Sequence, residues 1–92
     1  MKLPEKVRIT YGTSYKVEMV EALDKPTIMG DCDPDLHLIR ICSTLSERQI
    51  LVTFIHELLH ALQFEYGIKI AHSSIDQLDE AIERLLRLNG WL

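Results

Sequence analysis

The stretch from Gln49 to Phe64 leaves this chain the least freedom. Drawn at about 100° per residue it is apolar around most of a helix, and Gln49, His56, His60 and Gln63 fall on one narrow stripe. Such a helix belongs at the centre of a fold, because a solvated face would favour lysine and glutamate. Its ends are marked. Ser46-Glu47-Arg48-Gln49 has the form of a capping box, Leu45 and Ile50 are placed as a hydrophobic staple, and Gly67 after Tyr66 supplies the stop. A helix is therefore predicted over about 47–66.

With 92 residues there is chain for one core, so a single domain over 1–92 is expected and the rest must pack on this helix. Upstream the period is two. Val7, Ile9 and Tyr11 alternate with Arg8 and Thr10, and Tyr15, Val17 and Met19 alternate with Lys16 and Glu18, around a turn at Gly12-Thr13. A third apolar patch, Thr27-Ile28-Met29, leads into the turn-rich Asp31-Cys32-Asp33-Pro34-Asp35, and Leu38 to Cys42 forms a fourth strand candidate. Pairing 28–32 with 38–42 around that turn sets Cys32 and Cys42 at different heights, so no disulfide between them is expected. Downstream, a second capping box at Ser74-Ile75-Asp76-Gln77 opens a helix ending at Asn89-Gly90, with Ile75, Leu78, Ile82, Leu85 and Leu86 as its core face. The fold class is α+β: a small antiparallel or mixed sheet of three to four strands, then a long helix and a second C-terminal helix.

Ten basic against 14 acidic side chains give a net charge of −4, which argues against a phosphate-neutralising surface, and nucleic acid is not an expected partner. The start, Met1-Lys2-Leu3-Pro4-Glu5-Lys6, has no apolar signal region, and no run approaches the roughly 18 apolar residues of a membrane span. Neither export nor a membrane is expected, and the cytoplasm is the default.

The chemistry lies in His56-Glu57-Leu58-Leu59-His60. Histidines four apart on a helix point the same way one turn up, so both imidazoles can reach one metal ion. Glu57 falls beside Ile50, Ala61 and Phe64 on the wheel, where an ionised carboxylate is poorly solvated and its pKa should rise. A carboxylate so tuned beside a metal-bound water is what a general base for hydrolysis requires.

A His56-Glu57-Leu58-Leu59-His60 helix after a small sheet resembles the zincin metallopeptidases, in which the two histidines bind zinc and the intervening glutamate is the base. Gln63 and Tyr66 stand where the metzincin subgroup has glycine and a third histidine, so the resemblance is to the gluzincin side of the clan. With the Glu-Leu-Leu-His-Ala-Leu run and the terminal Leu-Leu-Arg-Leu-Asn-Gly, the chain is similar to short phage and mobile-element proteins of the ImmA/IrrE-like metallopeptidase type. The likeness is specific over 45–64, looser over 75–90 and nearly absent in the strands.

The resemblance implies a third ligand from a carboxylate on the following helix. Asp76 is preferred, lying near the border of the core face, with Glu80 one turn on as a brace; Glu80 itself is the alternative ligand, although it points away from that face. His72 is a further candidate, as ligand or as oxyanion donor. Acidic residues at 76, 79 and 80 also suit the helix dipole with no metal at all. Two imidazoles, a carboxylate and an open position suit zinc. The expected function is zinc-dependent hydrolysis of a protein or peptide substrate lying along a sheet edge, with the 38–42 strand as the candidate edge. The rival is a non-catalytic zincin-like module, with a structural metal or none, that binds or regulates a partner. The short chain supports the rival, since it leaves little for the far wall of a cleft, unless a homo-oligomer or the substrate completes it. In a further variant of that role, Trp91 and the apolar C-terminal end dock onto a partner.

Overall fold

The computed structural model describes residues 2–25 and 27–91. Strands β1 (Lys6–Arg8), β2 (Ser14–Val20), β3 (Gly30–Asp33) and β4 (Leu38–Cys42) precede helices α1 (Glu47–Tyr66) and α2 (His72–Leu88). This is the α+β layout expected of the sequence. The ends of α1 follow from its caps. Ser46 accepts from the Gln49 amide while the Gln49 side chain accepts from Ser46, and Gly67 takes the left-handed conformation at φ 64°.

The four strands form one mixed sheet in the order β1-β2-β4-β3. β1 and β2 pair antiparallel with Val7 opposite Tyr15, β2 and β4 run parallel with Val17 opposite Ile39, and β3 returns antiparallel on β4 with Cys32 opposite Ile39. Alternation sends Tyr15, Val17, Ile39 and Ile41 to one face, where they meet Phe54 and Ala61 of α1. The Tyr15 hydroxyl, carried into that core, donates to Glu65 at 2.8 Å. Cys32 and Cys42 are free thiols three ladder steps apart.

Four expectations are corrected. The 38–42 strand is not an edge: β4 lies inside the sheet and β3 is the edge beside α1. The third strand is Gly30–Asp33 rather than the apolar patch before it, and Ile28 and Met29 line a cavity instead. α2 begins at His72 with Ala71 as an N-cap that makes no side-chain bond, so Ser74 sits inside the first turn. Finally, Leu78 and Leu85 of the expected core face are exposed while Asp79 and Glu83 are buried with Ile75. The cause is electrostatic. Asp79 meets His56 of α1, and Glu83 accepts from Arg87 at 2.7 Å and faces Arg48 of α1 at 3.8 Å, so α2 is turned about its axis toward the polar partners His56 and Arg48 on α1.

Gly30 allows β3 to approach α1 closely. A Cβ there would lie 2.6 Å from Thr53 Cγ2, 2.9 Å from the Arg40 carbonyl and 3.4 Å from Glu57 Oε2. Gly30→Ala must push the edge strand off the helix, and a loss of about 1–3 kcal/mol is expected in urea unfolding; a wild-type midpoint would contradict this close approach.

Candidate functional site

Four residues apart on α1, His56 and His60 bring their Nε2 atoms to 3.1 Å from each other. His72, the first residue of α2, places its ring 5.2 Å from that of His56 and 5.5 Å from that of His60. Each of the three imidazoles offers a nitrogen within 4.8 Å of the others. The early start of α2 is what puts His72 here.

The opposite ring nitrogens are held from behind. His56 Nδ1 lies 2.8 Å from Asp79 Oδ2 and 3.4 Å from Asp76 Oδ1. A carboxylate only accepts, so the proton of a neutral His56 sits on Nδ1 and the lone pair of Nε2 is turned toward His60. His60 Nδ1 is 3.2 Å from Gln63 Oε1, and Gln63 Nε2 donates to the Ile70 carbonyl at 2.9 Å. Burial and the neighbouring His56 hold His60 below the usual imidazole range, which favours the neutral ring that binds metals.

Glu57 points off the stripe into the gap between α1 and β3 and is only 6% exposed. Burial pushes its pKa up to about 7, against the pull of His56 and with further repulsion from Asp31 and Asp79. Glu57 and His56 share a cavity of about 440 Å³ with His72, walled on its apolar side by Ile28, Met29 and Val52.

No family model, curated protein or solved structure matches the chain. The site must therefore be judged on its own chemistry. Two nitrogens each about 2.0–2.1 Å from one tetrahedral zinc lie about 3.3 Å apart, and the His56 and His60 nitrogens stand at 3.1 Å. That pair of nitrogens is thus spaced so that both can reach one zinc-sized cation.

The acidic candidates separate. Asp76 lies between His56 Nδ1 and His72 Nε2, at 3.4 and 3.8 Å, outside the three-imidazole group but in a second candidate donor group with His56 and Asp79. Glu80 is ion-paired with Arg48 and belongs neither to the three-histidine group nor to the group of His56, Asp76 and Asp79. Cys32 and Cys42 also stand outside both groups. Sequence reasoning left Asp79 open as a third ligand and missed its part as the hydrogen-bond partner of His56, and it missed the clamp made by Gln63. Asp79 had one signal, its place between Ile75 and Glu83 on a single i, i+4 line.

Proposed function

We propose that the protein is a zinc-dependent peptidase in which His56, His60 and His72 hold the metal and Glu57 is the general base. The observation that carries this reading is the pair of Nε2 atoms 3.1 Å apart beside a buried carboxylate. A cation held there would polarise a peptide carbonyl and acidify a water. Glu57, with a pKa of about 7, is matched to accept a proton near neutral pH and return it to a leaving amine. Asp79 fixes the orientation of His56, and Asp76 braces His56 and His72.

The sheet edge supplies a place for an extended peptide. Cys42 donates to the Met29 carbonyl, so by antiparallel alternation the pairs 29/42, 31/40 and 33/38 are the bonded ones. Gly30 and Cys32 then turn their amides and carbonyls to the open side of β3, next to the cavity that holds His56 and Glu57. A peptide strand added there satisfies those groups and runs past the site.

The test is hydrolysis of a mixed peptide library by zinc-loaded wild-type protein, with and without a chelator. Cleavage that the chelator abolishes and zinc restores is expected; absence of cleavage by protein containing stoichiometric zinc would favour a binding module. The third donor is tested by zinc affinity. Asp76→Ala should cost about 10–100-fold as a lost brace, and His72→Ala should cost more; the reverse order would give the third position to Asp76.

A further inference from the structure

Gln63 is the one polar member of the α1 stripe near the histidines that the proposed reaction does not use. Its amide orientation is fixed. The Ile70 carbonyl can only accept, so the group 2.9 Å from it must be the Gln63 NH2, and Oε1 then faces His60 Nδ1 at 3.2 Å. An amide oxygen cannot donate, so this contact is satisfied only by a neutral His60 protonated on Nδ1, whereas a proton on Nε2 would serve the 3.1 Å contact to His56 instead.

We infer that Gln63 is a positioning residue that locks His60 in the Nδ1–H tautomer and ties it to the turn leading into His72. Without Gln63 the proton is free to move to Nε2. There it would donate across 3.1 Å to the lone pair of His56 Nε2, whose own tautomer Asp79 sets, and the two nitrogens would satisfy each other. Gln63 and Asp79, from two different helices, together keep both lone pairs facing one point. The same amide holds the Ile70 carbonyl two residues before His72, so the third imidazole is placed by the clamp that orients the second. The tautomer stands independently of the peptidase reading; its consequence for zinc rests on that reading.

Nitrogen NMR of the imidazoles in metal-free protein at mildly alkaline pH reads this directly. In wild type, His60 is expected to carry its proton on Nδ1; in Gln63→Met it is expected on Nε2, with zinc affinity lower by about 10–100-fold. Gln63→Glu keeps an acceptor and should keep the Nδ1 proton. A wild-type His60 protonated on Nε2, a Gln63→Met protein with an unchanged tautomer or unchanged zinc affinity, or a Gln63→Glu protein lacking the Nδ1 proton would each overturn the assignment. If Gln63→Met fails to fold, the wild-type and Gln63→Glu spectra decide it. Wild-type protein with the expected tautomer that takes up no zinc would sink the peptidase reading and leave the tautomer assignment standing.

Discussion

Glu57→Gln is expected to lower peptide hydrolysis by about 100- to 10,000-fold, the contribution typical of a positioned general base, while zinc content stays at the wild-type level. The same substitution has a second, opposite effect. The folded-state pKa of Glu57 is about 7 against an ordinary 4.5, so the native protein holds this proton more tightly than the unfolded chain does. Native stability is then greatest below the unfolded value and is lost as pH rises through the folded one. For metal-free protein the loss between those pH values is of order 3 kcal/mol. Glu57→Gln lacks the titrating group, so it should be the more stable protein above neutral pH and show no such loss. Parallel stability profiles for the two proteins across that window, or equal hydrolysis by both, would contradict this assignment.

His56→Ala should do the most damage to the fold. It removes a proposed metal donor and leaves Asp79, only 5% exposed, without the imidazole 2.8 Å away. An uncompensated buried charge of that kind costs about 3–5 kcal/mol. The double substitution of His56 and Asp79 by Ala should recover part of the loss, since it also removes the stranded carboxylate. Urea unfolding with metal analysis checks both expectations. Wild-type stability and full zinc content in His56→Ala would refute the arrangement.

Local signals carried much of the fold. Ser46, Gln49 and Gly67 placed α1 because caps act within a turn of the residues they bond, and alternation placed β2 and β4 because Tyr15, Val17, Ile39 and Ile41 share one buried face. What was not legible depends on distant partners. The Gly30–Asp33 strand has little apolar character of its own and is defined by pairing with β4 and by the room Gly30 leaves for Thr53. Hydrophobicity alone pointed α2 toward Leu78 and Leu85, but the polar partners His56 and Arg48 on α1 turn it to bury Asp79 and Glu83. In the site, the spacing of His56, Glu57 and His60 was visible in sequence. The places of Asp76, Asp79 and Glu80 were not, since these follow from how α2 crosses α1. No helix among the described residues is long and apolar enough to cross a membrane.

The most direct measurement is anomalous scattering at the zinc edge from crystals grown with equimolar zinc. One strong peak is expected about 2.0–2.1 Å from the Nε2 atoms of both His56 and His60, with a nitrogen of His72 completing the set. Zinc found only on exposed carboxylates, with those two nitrogens hydrogen-bonded to each other, would contradict the account.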